Sequence, residues 1–255
     1  MRIVIAPSKT QSIRSLTDFV DYSIDLSYKD ENLLKKQFPI TKRLVKAIIN
    51  HPEDIIGKKM KLSDKLLNEV VNNYKNFNKS AEGHSILSYT GTVFKELKIE
   101  SYDRDSFEYM NKHIIILSAL YGPMPAFAKI KPYRLDMNMS FFEKSVYHQW
   151  SAISEEWFKD EDFIIDLASK EFSKLIIGNK ISIEFLQCVD GEFKTISYHS
   201  KQGRGFMLHY LIENQVTNIE DIKKFNASDY SFDEGKSTKS NLVFSRKLSL
   251  IKKRL

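Results

Sequence analysis

The stretch that most limits how this chain can fold is residues 111–139, NKHIIILSALYGPMPAFAKIKPYRLDMNM. From His113 to Leu117 it runs through three isoleucines into a leucine. An unbroken β-branched run of that length suits a strand buried on both faces of a sheet. The run ends abruptly, and Pro123 and Pro125, which lack an N–H, are not expected to continue a ladder. Beyond them Lys129, Lys131 and Arg134 alternate with Ile130, Tyr133 and Leu135, and Asp136 follows. A core strand that stops in a rigid loop and then presents cations, a tyrosine and a carboxylate is where open sheets build sites. Two plainer readings stand beside that one. Such charges also occur on solvated surface loops, and Arg134 paired with Asp136 or another carboxylate inside the fold would give the same pattern.

The chain has 255 residues, 42% of them hydrophobic and 12% aromatic, enough to fill a core. No linker rich in Gly, Ser or Pro divides it and no internal repeat is found, so one domain over residues 1–255 is expected. One cysteine, Cys188, excludes an intramolecular disulfide and a four-thiolate metal site. Arg2 to Ala6 is too short for a secretory signal and leads straight into Pro7. No 18-residue apolar window occurs, so no membrane helix, and with it a cytoplasmic location, is expected. The net charge is +6, but residues 246–255 carry Arg246, Lys247, Lys252, Lys253 and Arg254 with no acid. Without that basic tail the net charge is +1, so any anion-binding face must come from segregated charge.

The pattern predicts strands at 2–6, 113–117, 163–167, 181–189, 193–199 and 242–245, joined into a mixed sheet surrounded by helices, an α+β fold. Helices are predicted at 31–38, ended by Pro39, and at 40–50. Another runs from Pro52 to a C′ glycine at Gly57, and a longer one is capped by Ser63 or Asp64. Together residues 39–77 are expected to protrude as a helical hairpin. The 103–112 and 143–157 segments also have helical spacing, with Trp150 and Trp157 facing a core. Asp190-Gly191 between two β-rich runs is a two-residue type I′ hairpin signal.

Two further places suggest anion binding. Lys9 sits between hydroxyls in Pro7-Ser8-Lys9-Thr10 after the first strand, without the glycines of a P-loop. Gly203-Arg204-Gly205 precedes an expected helix from Phe206, and glycines with an arginine at a helix N-terminus favour anions. The connection from Ile55 to Lys61 carries Lys58, Lys59 and Lys61, which suit either a backbone-binding hairpin or a solvated loop. The six histidines, at 51, 84, 113, 148, 199 and 209, show no metal-ligand spacing. No metal or cofactor is expected.

LSALYG…KPYRLDM resembles the most characteristic block of the YaaA family. IAPSKT at 5–10, LSDKL at 62–66, YTGTVF at 89–94, LASKEF at 167–172 and GRGFMLHYLIEN at 203–214 match the same family in order, so the resemblance runs along nearly the whole chain. It implies a DNA-binding protein of the peroxide-stress response, associated with survival of oxidative stress and lowered free iron. It also implies a helix–hairpin–helix element within 39–77. Three positions depart from the family pattern: Gly57 stands alone where the hairpin has G-x-G, Asp166 replaces asparagine, and Gly203 replaces alanine.

On this reading Lys58, Lys59, Lys61 and Lys65 hold the duplex backbone, Lys9, Arg134 and Arg204 line a basic cleft, and the partner is double-stranded DNA bound by a monomer. An enzyme acting on a nucleotide or a damaged base is the alternative. It is motivated by Tyr121, Tyr133 and Asp136, which phosphate binding alone does not need, with Tyr133 and Asp136 as the candidate proton-transfer pair.

Overall fold

The first strand, β1 (Arg2–Ile5), lies inside the sheet. In the computed structural model, which describes residues 1–20, 24, 26 and 31–247, three helices follow it. They are α1 (Glu31–Ile49), α2 (Glu53–Met60) and α3 (Asp64–Lys75). Next come β2 (Gly83–His84), the single turns α4 (Ser85–Ser88) and α5 (Thr92–Lys95), and α6 (Arg104–His113), which runs directly into β3 (Ile114–Ser118). Then follow β4 (Gly122–Pro125), β5 (Lys129–Ile130), α7 (Val146–Phe158), β6 (Ile164–Asp166) and α8 (Lys170–Ser173). The last third holds β7 (Lys180–Val189), β8 (Glu192–Lys194), α9 (Ser197–Glu213), α10 (Ile219–Lys223), β9 (Asn226–Ala227), β10 (Tyr230–Phe232) and β11 (Asn241–Lys247).

Among the described residues, nine strands form one mixed sheet in the order β4-β3-β1-β6-β7-β11-β10-β9, with β8 beside β7; β2 and β5 pair separately. This is the α+β architecture that the alternating strand and helix patterns predict. β3, β1, β6, β7 and β11 run parallel to one another, while β4, β8 and β10 pair antiparallel with β3, β7 and β11, and β9 with β10. Taken in chain order, the parallel strands lie 2-1-3-4-5, so the winding reverses between β1 and β6. Open sheets bind ligands at that reversal, beyond the carboxyl ends of the strands. Ile3, Val4 and Ile5 have no exposed surface, and burying each such side chain contributes about 1.5–3 kcal/mol.

Local signals set several elements. The Asp103 side chain accepts a hydrogen bond from the Ser106 amide and caps α6, and Ser145 does the same for α7 through His148. Asp190 and Gly191 both have positive φ, 52° and 82°, and pair Val189 with Glu192, as a type I′ turn requires.

Six expectations are corrected. Pro39 does not end a helix; it lies inside α1. The turns on either side are anchored, with Leu44, Val45 and Ile48 buried and Gln37 Nε2 donating to the carbonyls of Tyr121 and Pro123 at 2.8 and 2.7 Å. That anchoring outweighs the loss of one backbone bond. Gly57 is helical, not a C′ glycine. A Cβ there would lie 3.1 Å from Leu67 Cδ2, so its smallness serves the close approach of α2 to α3. The turn falls at Lys61, whose φ of 52° is left-handed. These helices do not protrude either, since Ile56, Met60, Val70, Val71 and Tyr74 belong to the main core.

Pro123 and Pro125 do join a ladder, in β4, where they face Leu117 and Ile115 of β3. β4 is the end strand of the sheet, where a missing N–H deprives no further strand. The strand expected to reach His199 stops at Lys194, and α9 begins at Ser197, so Gly203-Arg204-Gly205 sits in mid-helix. The two glycines are packing positions. A Cβ on Gly203 would meet the Phe185 ring at 2.5 Å, and one on Gly205 the Val93 carbonyl at 2.7 Å. Of the basic tail, Arg246 and Lys247 belong to β11, and residues 248–255 lie outside the described residues.

Candidate functional site

A pocket of about 450 Å³ opens at the winding reversal. Five separate segments line it: Ala6 to Gln11 after β1, Gly91 to Phe94 at the start of α5, Tyr133 to Asp136, the Leu167 to Phe172 region after β6, and Lys201 with Arg204 from α9. The 133–136 segment has no strand to hold it. Gln11 takes that role: its Nε2 donates to the Tyr133 carbonyl at 3.1 Å, and its Oε1 accepts from the Tyr133 amide at 3.0 Å. Tyr74 of α3 adds a hydrogen bond from its hydroxyl to the Arg134 carbonyl at 2.7 Å.

Lys9, Tyr133, Arg134, Asp136 and Arg204 all line this one pocket. Their states differ. The Tyr133 hydroxyl lies 2.8 Å from both the Tyr89 hydroxyl and Ser118 Oγ. Ser118 Oγ already accepts from the amides of Leu120 and Tyr121, so its proton is left to donate to Tyr133. Burial pushes the Tyr133 hydroxyl up to about 12, against the lowering effect of those two hydrogen bonds. It is a fixed, protonated strut. Asp136 Oδ2 accepts from Lys9 Nζ at 2.5 Å; the lysine is 58% exposed, so this pair is worth at most about 1 kcal/mol. Tyr133 and Asp136 therefore have separate hydrogen-bond partners, and no hydrogen bond joins them among the described residues.

The two arginines differ from both. Arg134 Nε and Arg204 Nε are buried and have no hydrogen-bond partner among the described residues. A buried donor left unpaired costs about 1–3 kcal/mol, which an anion bound in the pocket would recover. Burial pulls the Arg204 guanidinium down from its ordinary value, while Asp166 and Glu184 push it back up. Glu171 also lines the pocket, its Oε1 accepting from the Met137 amide at 2.9 Å. The lining thus carries four cations against two carboxylates.

A family model described as peroxide stress protein YaaA matches residues 1–236. The chain belongs to the YaaA family. It is 37% identical over 256 residues to a UPF0246 protein of Fusobacterium nucleatum, covering 98% of this chain and 100% of that one. A UPF0246 protein of Finegoldia magna is 35% identical, with 97% and 99% covered, and one of Francisella philomiragia is 32% identical, with 96% and 100% covered.

The remaining residues singled out in this YaaA-family chain lie elsewhere. None of Lys58, Lys59, Lys61 and Lys65 lines the pocket. Lys58 pairs with Asp54 at 3.3 Å, and Lys59 Nζ donates to the Ser140 carbonyl at 2.5 Å and lies over the Phe141 ring. Lys61 forms the left-handed end of α2, and Lys65 is in the first turn of α3. Tyr121 is also outside; its hydroxyl accepts from the Lys131 amide at 2.9 Å, and it borders a second, more apolar cavity of about 490 Å³. Sequence reasoning gave no site role to Gln11, Lys201 or Glu171. Lys201 is one helical turn before Arg204, a spacing that carries meaning only once 197–213 is known to be helical.

Asp166, at the end of β6, is buried behind this YaaA-family pocket. It accepts from the Ala168 amide at 2.9 Å and from the Ser173 hydroxyl, with Lys180 Nζ at 3.8 Å. Burial raises its carboxyl above the ordinary value, and Ser173, Ala168, Lys180 and Arg204 only partly offset that. A carboxyl raised by folding penalises the folded state once ionised, so its penalty is full above the folded value and lifts as pH falls towards 3.8. Asp166→Asn, which keeps an acceptor for Ala168, is expected to match or exceed the wild-type thermal midpoint at pH 7. That advantage should disappear below pH 3.8. A variant less stable than wild type at pH 7 would show that the ionised network stabilises the fold.

Proposed function

We propose that the pocket binds phosphate groups of nucleic acid, and that this chain serves the peroxide-stress response as a DNA-binding protein. The observation that carries the reading is the convergence of Lys9, Arg134, Lys201 and Arg204, from three separate stretches of chain, on one pocket in which two guanidinium Nε atoms lack partners among the described residues. On this reading duplex DNA is held by its backbone. Lys9, Arg134 and Arg204 supply the inner contacts, and the α2–α3 lysines Lys58, Lys59, Lys61 and Lys65 supply outer ones. The protein binds as a monomer in the cytoplasm. Among the described residues no helix is long and apolar enough to cross a membrane.

The enzymatic alternative, chemistry on a nucleotide or damaged base, loses support where Tyr133 is spent on Tyr89 and Ser118. Binding is the better use of these side chains. The test is fluorescence anisotropy with a duplex oligonucleotide across a salt series. Log affinity should fall linearly with log salt, with a slope reaching about −6 if all seven named cations meet phosphates. Equal affinity at 50 and 300 mM salt would exclude the reading.

A further inference from the structure

We infer that the pocket takes a free ribonucleotide of nucleoside-monophosphate size, with its phosphate on Arg134 and Arg204 and its ribose 2′-hydroxyl on Asp136 or Glu171. The inference rests on the reading of the pocket as a phosphate site, and adds a small ligand that bears hydroxyls. Three observations lead to it.

The first is size. About 450 Å³ is within the range of single small-molecule sites and does not admit a double helix. Arg204, held in mid-α9 between two packed glycines, lies within it.

The second is the pair of carboxylates. Asp136 and Glu171 repel a phosphate, so a ligand made only of phosphates gains nothing from them. Each spends one oxygen within the protein, on Lys9 and on the Met137 amide, and the other oxygen has no hydrogen bond among the described residues. A carboxylate oxygen only accepts. The DNA sugar has no hydroxyl within the strand to donate, whereas ribose offers a 2′-hydroxyl, which a free deoxynucleotide also lacks. A carboxylate at the winding reversal of a parallel sheet is a common partner for a ribose 2′-hydroxyl.

The third is the wall. Val93, Phe94, Leu167 and Phe172 give the lining apolar surface of the kind a base covers.

The experiment is isothermal titration calorimetry of the full chain with AMP, GMP, CMP and UMP. For the tightest of these, the matching nucleoside, the 2′-deoxy monophosphate and inorganic phosphate follow. The nucleoside should bind about tenfold more weakly or worse, from loss of charge-assisted bonds, and the deoxy form about tenfold more weakly. Arg204→Gln should narrow the preference for nucleotide over nucleoside. Either Glu171→Gln, which keeps an acceptor for Met137, or Asp136→Asn should bring the ribo and deoxy forms level. Circular dichroism confirms that each variant is folded.

Inorganic phosphate binding as tightly as every nucleotide, equal ribo and deoxy affinities in the wild type, or an unchanged ratio in both carboxylate variants would each overturn the inference. Duplex DNA measured alongside separates the two readings. DNA binding without nucleotide binding overturns this inference alone. Nucleotide binding without DNA binding overturns the DNA reading alone. Neither kind of binding overturns both.

Discussion

Gly122→Ala should unfold at a clearly lower urea concentration than the wild type, with a loss of about 2–4 kcal/mol. Two costs add. Gly122 turns the chain from β3 into β4 with a φ of +75°, which an L side chain adopts at a cost of about 1–2 kcal/mol. A Cβ there would also lie 2.6 Å from Trp150 Cε3 and 2.8 Å from Gln37 Nε2. Neither neighbour is free to give way. Trp150 is fully buried and its Nε1 donates to the Ala119 carbonyl at 2.9 Å, while Gln37 is bonded to the carbonyls on both sides of the turn. The slope of free energy against urea should stay constant, since the surface exposed on unfolding does not change. A loss under 1 kcal/mol would mean that α7 shifts readily against the sheet edge. Gly122 does not line the basic pocket, so ligand affinity of the folded variant should be unaltered.

The second large effect is on binding. Replacing Arg134 and Arg204 together with glutamine should weaken duplex binding at low salt by about 100-fold or more. Each charge-assisted hydrogen bond lost is worth about 1.5–3 kcal/mol, or roughly tenfold to a hundredfold. The salt slope should become shallower by about 2. The Lys58→Gln/Lys65→Gln pair, on exposed helical positions, should produce a smaller change of the same kind. If the double arginine variant binds duplex within threefold of the wild type, the pocket is not where the backbone sits. The α2–α3 lysines would then be the surface to pursue.

The elements that were legible in the sequence are those specified by local chemistry. The β-branched run of β3, the helical spacing of α6, the tryptophan spacing of α7 and the Asp190-Gly191 turn each determine structure within a few residues. The misread elements all depend on contacts made across the molecule. Pro39 signals a helix end unless Gln37 is held by the β4 turn. Gly203 and Gly205 signal a helix start unless Phe185 and α5 press against that face. The same division holds for the pocket. Lys9, Arg134 and Arg204 carry visible charge, and Lys201 and Glu171 become interpretable once α9 and α8 are placed. Gln11 gave no signal, because a neutral amide acquires its role only by meeting the Tyr133 backbone.

The interior position of β1 has a kinetic consequence. Ile3 pairs with Ile114 and Val4 with Asp166, so the strand at the centre of the fold finds neither neighbour until distant parts of the chain have arrived. Such non-local pairings must meet the entropy of closing long loops before they return any stabilisation. Refolding should therefore be slow for a chain of this size, with the apolar edge of β1 open to self-association until β3 and β6 dock on either side.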